Sequence, residues 1–493
     1  MPAPPRPVEH QAAWPLFDID ATRRIERLAL QQVPAHTLMQ RAGLASARLA
    51  LALTPHAGRI WIAAGPGNNG GDGLEAAATL QGWGKNTVVT WLGHAEDASA
   101  DTAASWRRAK DAGVNFADAP PASFDLCLDA LLGIGASRAP AGRMADWIEH
   151  MNDAGAPILA IDIPTGLNAD TGHCAGPHVR ARATLSLLTL KPGLFTAMGR
   201  DAAGQVWLDD LQVDTDATAA AAVASPCAML GGRPAARTRA HASHKGSLGD
   251  VAIIGGAPGM AGAAVLAASA ALHFGAGRVY LATLDPSLTG TPLAQPELML
   301  RQVDQLALAH TTVVCGCGGG DVVRAHLPRV LSGAGRLVLD ADALNAIARD
   351  TQLQAQLRAR SERGWQTILT PHPLEASRLL GSSSHSVQQD RLAAARQLAD
   401  DFRCTVVLKG SGTVIAAPAQ TSCINPTGNP RLASAGTGDV LAGAIGAALA
   451  AGLPEMEAAC EAVYLHGLCA DQWPGAETLT AGRLARRLQL LSA

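Results

Sequence analysis

The stretch from Asn425 to Gly443, N-P-T-G-N-P-R-L-A-S-A-G-T-G-D-V-L-A-G, constrains this chain more than any other. The residues that follow its glycines, Val440 to Ala451, are small and apolar and predict a buried helix. Gly436, Thr437 and Gly438 therefore fall at a helix N-terminus, where unpaired N–H groups and the helix dipole attract anions. Asp439 stands at the same place, and a carboxylate there can take a proton from a substrate hydroxyl. An anion hole beside a general base is what phosphoryl transfer to an alcohol requires. A plain glycine loop with an aspartate cap accounts equally well for G-T-G-D alone. The flanking Gly428, Asn429 and Pro430, with Val440 to Gly443, favour the chemical reading.

At 493 residues the chain is too long for one ordinary domain. Apolar residues make up 48% but aromatics only 3%, so the cores must be built from Ala, Val, Leu and Ile. A net charge of −3 gives no footprint for nucleic acid or an anionic membrane. The nine cysteines include no C-x-x-C, and Cys315 and Cys317 have no second ligand pair at zinc-site spacing. They read as buried free thiols of a reducing cytoplasm. Neither a signal peptide nor a membrane span is expected, since there is no apolar run of about 18 residues.

In the first half, Asp20 is expected to cap a helix through Arg23, Ile25 and Leu28. A strand over Arg59 to Ala64 then runs into a loop from Gly65 to Gly73, with a helix predicted from Leu74. Gly65, Gly67 and Gly70 match G-x-G-x-x-G, but the acidic residue that should close the next strand is missing. Asn68, Asn69 and Asp72 offer the oxygens a hard cation or a polar ligand needs. Two further strand ends carry Asp129 to Arg138 and Asp162 to Gly172, and Lys191 follows the apolar run Leu185 to Leu190. Ligands of open parallel sheets bind outside the carboxyl ends of the strands, so these loops imply one crevice.

The second half repeats the design. Strands are expected at residues 250–254, 278–282, 311–315, 336–339, 367–369 and 404–408, alternating with helices in a mostly parallel sheet. The loops after them hold Gly316 to Asp321, Asp340 to Asn345, Thr370 to Glu375 and Lys409 to Thr413. Adjacent glycines and hydroxyls in such loops suit a nucleotide phosphate or ribose. No G-x-x-x-x-G-K-[ST] is present, which excludes a P-loop enzyme. Between the halves, residues 214–243 hold no sheet pattern, and the boundary is placed at 226/227 with a short helix expected over Ala217 to Ala224.

The second-half motifs H-K-G-x-x-G, Q-P-E-L-M, L-D-A-D-A-L-N, T-P-H-x-x-E, L-K-G-x-G-T and A-G-T-G-D-V-L-A-G resemble the ribokinase-like, ADP-dependent NAD(P)H-hydrate dehydratases. The first-half motifs N-N-G-G-D-G, D-A-L-x-G-x-G-x-x-R, D-I-P-T-G-L-N-x-D-T-G and K-P-G-L resemble the NAD(P)H-hydrate epimerase domain. The resemblance implies an α/β chain of two doubly wound domains. Residues 1–226 would be a Rossmann-like epimerase and residues 227–493 a dehydratase. It implies potassium held by Asn69, Asp129 and Thr165, and the hydrate held by Asn68, Asn69, Gly70, Gly71 and Asp72. Gly133, Ile134, Gly135, Ala136, Ser137 and Arg138 would complete that pocket, with Asp162 and Lys191 catalytic. In the second domain it implies nucleotide contacts at Lys409, Gly410, Ser411, Gly412, Thr413 and Gly438. Gly318 and His372 would touch the hydrate, Asp439 would be the base, and Mg²⁺ would accompany ADP. The family's departures here are Gln40, Leu374, Ser411 and the Cys317, Gly318, Gly319 run. The substrates would be the hydrates of NADH and NADPH together with ADP, handled by a cytoplasmic homo-oligomer without nucleic acid or membrane partners.

Two other readings remain open at this point. The second half could be an alcohol kinase for a vitamin precursor beside a scaffold module, or the first half could be a nucleotide sensor. The cluster Asp129, Asp162 and Lys191 speaks against mere binding, which needs no such set. Ring opening and water loss are both compatible with epimerisation.

Overall fold

The computed structural model describes residues 4–136, 138–213, 224–236, 241–288 and 295–488. Ser137 and residues 217–223 of the expected linker helix lie outside them. The chain divides into two compact units, residues 1–9 with 14–229 and residues 10–13 with 230–493.

The first unit holds an eight-stranded sheet. Its order is Arg6–Pro7, Gln205–Asp209, Ala183–Leu187, Ile158–Ile161, Leu126–Ala130, Arg59–Ala64, Asn86–Trp91 and Asn115–Phe116. All neighbours pair in parallel except the Arg6–Pro7 edge. A strand covered on both faces needs apolar residues at every position, and Arg59–Ala64 is buried from its second residue on. Successive side chains point to opposite faces. Ile60, Ile62 and Ala64 join one core with Ile25, Leu49 and Leu74 of the helices Ile19–Leu30, Thr37–Leu53 and Asn68–Gly82. Trp61 and Ala63 join another with Trp147, Ile148 and Met151 of the helix Arg143–Asp153.

In the second unit the sheet runs Met299–Leu300, Arg278–Thr283, Asp250–Gly255, Thr312–Cys315, Arg336–Leu339, Gln366–Leu369, Thr405–Leu408, Val414–Ala416 and Ser422–Ile424. It is parallel as far as Thr405–Leu408, then turns antiparallel. Val251, Ile253, Val314, Val338, Ile368 and Val407 share one core with the alanine-rich helices Ala261–Phe274 and Thr437–Ala450. Small side chains let these two helices press close: a Cβ on Gly443 would lie 2.0 Å from the Ala267 carbonyl oxygen.

Several sequence expectations are corrected. Asp18, not Asp20, caps the first helix, its Oδ1 accepting from the Ala21 N–H at 2.7 Å. The supposed loop Asn68 to Gly73 is the opening of the helix Asn68–Gly82. A Cβ on Gly70 would stand 2.0 Å from the Gly65 carbonyl oxygen, so this glycine is demanded by backbone packing whatever binds nearby. Asp129 belongs to its strand, and Asp340 immediately precedes the helix Ala341–Ala348 rather than opening a loop.

Candidate active sites

A cavity of about 480 Å³ opens at the carboxyl ends of the first unit's strands. Asn68, Asn69, Asp72, Gly133, Ile134, Gly135, Ala136, Asp162 and Lys191 line it, so the loops named from sequence meet in one crevice. Arg138 is exposed and Gly70 and Gly71 are buried in the helix, all three off the lining. Arg23 and Glu26, which no motif signalled, complete the wall from the first helix.

Asp162 and Lys191 form the centre. Asp162 carries φ 67°, a left-handed backbone that a non-glycine residue adopts only when its surroundings hold it. The strain turns its carboxylate onto the fully buried Lys191, whose Nζ lies 2.6 Å from Oδ1. The ammonium also donates to the Leu187 carbonyl at 2.7 Å and Ser186 Oγ at 3.3 Å, which uses all three of its protons. Lys191 is thus held in place inside the unit, not the solvated strand-end lysine that its position after the apolar run would also allow. Asp162 Oδ2 accepts from the Ile134 N–H at 3.2 Å. Burial, then the negative charges of Asp162, Glu26 and Asp101, push the Asp72 carboxyl well above the usual range. Burial and Asp162 raise Glu26 too, against the pull of Lys191, Arg23 and Arg27. The crevice therefore sets two carboxyls raised toward neutrality beside one tied to a lysine, a division suited to acid–base work.

Behind the crevice, Asp129 and Thr165 are fully buried and bonded to each other. Thr165 donates its N–H to Asp129 Oδ2 at 2.8 Å and its hydroxyl to Oδ1 at 2.7 Å. Burial raises Asp129 to about 6 despite these bonds and that of the Leu131 N–H. Asn69 is also buried, and neither its Oδ1 nor its Nδ2 has a partner. An orphaned buried amide is costly unless something absent from the chain satisfies it. The amide oxygen, the carboxylate and the hydroxyl are the donor types a hard monovalent cation takes, so these residues fit the implied ion.

In the second unit Gly436, at φ 87°, heads the helix Thr437–Ala450 and Asp439 lies in its first turn. The helix start is held from below. His466 Nε2 donates to the Thr437 carbonyl at 3.0 Å, and Thr437 Oγ1 bonds the Leu432 and Ser434 carbonyls. The upstream N-P-T-G-N-P segment is an anchor to the helix Glu455–Asp471. Thr427 Oγ1 donates to the Tyr464 carbonyl, Gly428 N–H to Asp471 and Asn429 Nδ2 to the Ala470 carbonyl. The Thr437 N–H is spent on Ser434 at 3.4 Å. Among the described residues those of Ala435, Gly436, Gly438 and Asp439 have no backbone acceptor, so this helix start has N–H groups free to meet an anion.

Asp439 faces a charged network. Lys409 Nζ lies 2.7 Å from Asp340 Oδ1 and 4.0 Å from Glu375 Oε2, and Thr370 Oγ1 donates to Asp340 Oδ1 at 2.7 Å. Burial pushes Lys409 down, but the charges of Asp340 and Glu375 and the hydrogen bond to Asp340 outweigh it, so Lys409 lies above the usual lysine value. Burial, with the Asp340 charge, raises Asp439 to about 6, and Cys317 and Lys409 pull the other way. A carboxyl at that value is poised as a base near neutral pH. Sequence reasoning missed Asp340 as the partner of Lys409. His372, which the family resemblance implies as a hydrate contact, caps its helix: its Nδ1 accepts from the Leu374 and Glu375 N–H groups and its Nε2 meets Glu375 at 3.1 Å. Gly410 bends at φ 130° over the buried Arg391, which donates to the Leu408 and Lys409 carbonyls and fixes the loop that continues through Ser411, Gly412 and Thr413. Gly318 lies beside the start of the Ala261–Phe274 helix, its carbonyl accepting from the Ala257 N–H at 2.7 Å.

Gly436→Ala is expected to cost about 1–3 kcal/mol of strain in the second unit and to raise KM for the nucleotide. A Cβ there would meet Leu266 Cδ1 at 2.5 Å with φ still positive. Urea unfolding and nucleotide titration check this; wild-type values for both would show that the helix entry tolerates a side chain.

Fold and sites together describe a two-unit α/β enzyme, with a carboxylate-lined crevice in one unit and a carboxylate in the first turn of a helix in the other. Residues 35–193 match a family model described as the YjeF-related protein N-terminus, and residues 251–490 one described as NAD(P)H-hydrate dehydratase. The bifunctional NAD(P)H-hydrate repair enzyme Nnr of Coxiella burnetii is 36% identical over 472 residues, covering 93% of this chain and 94% of that one. The Nnr of Escherichia coli is 35% identical over 468 residues, covering 92% and 88%. The chain belongs to the bifunctional NAD(P)H-hydrate repair enzymes. A solved ADP/ATP-dependent NAD(P)H-hydrate dehydratase of Bacillus subtilis, co-crystallized with ATP/Mg2+, is 32% identical with TM-score 0.45, covering 52% of this chain and 92% of that one. No helix among the described residues is long and apolar enough to cross a membrane.

Proposed function

We propose that this chain restores NADH and NADPH whose nicotinamide ring has taken up water at C6. The first unit interconverts the R and S hydrates, and the second uses ADP to dehydrate the S form, releasing AMP and phosphate. The observation that carries the second step is Asp439, raised to about 6 by burial, in the first turn of a helix headed by free N–H groups. Asp439 takes the proton of the C6 hydroxyl while that oxygen attacks the β-phosphorus of ADP and AMP leaves. The ring nitrogen then expels the phosphate, C5 gives up a proton, and the double bond returns. The N–H groups of Ala435, Gly436 and Gly438 hold the transferring phosphoryl oxygens, such donors being worth about 3–4 kcal/mol each. Lys409 and the loop through Gly410, Ser411, Gly412 and Thr413 take the AMP moiety of ADP, which enters as its magnesium complex. Purified protein given ADP and chemically made hydrate should recover the reduced-nicotinamide absorbance; no recovery would sink the proposal.

In the first unit Asp162, the residue whose carboxylate both faces the cavity and pairs with Lys191, moves the proton at the reacting ring. Lys191, with its protons committed, orients it. Asp72 and Glu26 are the raised carboxyls across the same cavity from which a proton can be supplied. Potassium held by Asn69, Asp129 and Thr165 would satisfy the orphaned amide oxygen and place a positive charge beside the buried carboxylate. Exchanging potassium for sodium should lower the melting temperature of the first unit and its epimerase rate, because an ion that binds only the folded state stabilises it by mass action. Identical melting curves and rates in the two salts would remove the ion from the account.

A further inference from the structure

Cys317, in the turn after the strand Thr312–Cys315, is fully buried at the foot of the phosphoryl site. Its Sγ lies at hydrogen-bond distance, 3.7 Å, from Asp340 Oδ2, and Asp439 is its other carboxylate neighbour. One ligand-type atom from each of Cys317, Asp340 and Asp439 lies within 4.8 Å of the others. The thiol has a single proton for two carboxylates. Asp340 already receives the Lys409 ammonium and the Thr370 hydroxyl, both at 2.7 Å. Among the described residues Asp439 forms no ion pair, and Cys317 is the side-chain donor that reaches it. The proton therefore gains more on Asp439 than on a carboxylate that two donors already serve.

We propose that the Cys317 thiol is a positioning residue for phosphoryl transfer, its S–H held on the Asp439 carboxylate so that the base is aimed at the anion hole and kept ionised. This rests on Asp439 being the base, as proposed above. The other groups facing Asp439 are Asp340 and Asp342, beyond the strand Arg336–Leu339, and Lys409, beyond Thr405–Leu408. From the helix Glu455–Asp471, His466 meets the Thr437 carbonyl, and burial lowers it to about 4, so it stays neutral across the working range. Of the side chains that act on Asp439 itself, Asp340, Asp342, Lys409 and Cys317, only the thiol can be changed without adding or removing a formal charge near the base. A hydrogen bond to the ionised form lowers a carboxyl's pKa, and its loss must raise it.

The test is the pH dependence of kcat for dehydration, at saturating magnesium ADP and S hydrate, in the wild type and three variants. Cys317→Val removes the donor and adds bulk, Cys317→Ala removes the donor and leaves space, and Cys317→Ser keeps a donor. The acidic limb should move up by about half a pH unit in the valine and alanine variants, as the loss of one weak donor implies, and stay with the wild type in the serine variant. KM for ADP and the epimerase rate should be unchanged in all three. A limb that does not move in Val and Ala overturns the proposal. An equal move in all three also overturns it, since that would trace to packing. If the wild type has no acidic limb, or Asp439→Asn keeps its rate, the base assignment falls first and the thiol's role falls with it; that outcome needs no change at Cys317 to be seen.

Discussion

Asp162→Asn is expected to abolish epimerisation while ADP-dependent dehydration of the S hydrate continues near the wild-type rate. Racemic hydrate would then be consumed to half, and the remainder would follow only its slow spontaneous epimerisation. The amide can still accept from the Ile134 N–H, so the turn at Asp162 survives. What is lost is the oxygen able to take a proton. The substitution also strips the fully buried Lys191 of its counter-charge, held at 2.6 Å in the wild type. Breaking such a pair by removing one partner costs about 3–5 kcal/mol. A dead epimerase could therefore mean an unfolded first unit. The double variant Asp162→Asn with Lys191→Met separates the two, because it leaves no unpaired buried charge. Restored stability without restored epimerisation would place the chemistry on Asp162. Rapid, complete consumption of racemic hydrate by the stable double variant would refute its role.

The parallel strands were legible because strands buried on both faces read as short continuous apolar runs between glycine and aspartate. Arg59–Ala64 and Arg336–Leu339 coincide with their expected bounds for that reason. The rule that ligands gather at strand carboxyl ends then placed Asn69, Asp162 and Lys191, and the anion-attracting helix N-terminus placed Asp439, without knowledge of the contacts. Where it failed, tertiary packing had overridden local preference. N-N-G-G-D-G has poor helix propensity, yet it is the first turn of a helix because Gly70 lies flat against the Gly65 carbonyl. Glu26 looks like any polar position between Arg23 and Arg27 on an amphipathic helix; only the packing of that helix turns it into the cavity. Cys317 was legible as a buried thiol but not as a neighbour of Asp439, since the loop and the helix meet only when the sheet is assembled. His372 carries the opposite lesson. The family resemblance implies a hydrate contact there, while the T-P-H-P-L-E spacing itself builds a capping box with Glu375.

Asp439→Asn is expected to lower dehydration by about 10²-fold or more while leaving epimerisation intact, since a general base commonly supplies that factor. In the wild type the rate should fall as pH drops through about 6, because Asp439, raised to that value by burial and Asp340, must be ionised to accept the hydroxyl proton. The asparagine variant should lose that limb together with its rate. The same loss would follow if the second unit were a kinase for an ordinary alcohol, so the products must decide. A phosphate on C6 sits next to the ring nitrogen, whose lone pair expels it; a phosphate on a primary alcohol has no such push and stays. Mass spectrometry after complete turnover should show AMP and free phosphate in equal amounts, with reduced cofactor and no lasting phosphoester. A stable phosphorylated alcohol, with no turnover of hydrate, would give the site to kinase chemistry. The Asp439 base and the N–H groups of Ala435, Gly436 and Gly438 serve either acceptor alike. What separates repair from phosphorylation is the electron pair on the substrate's own nitrogen, and the protein need only deliver the phosphoryl group to the oxygen beside it.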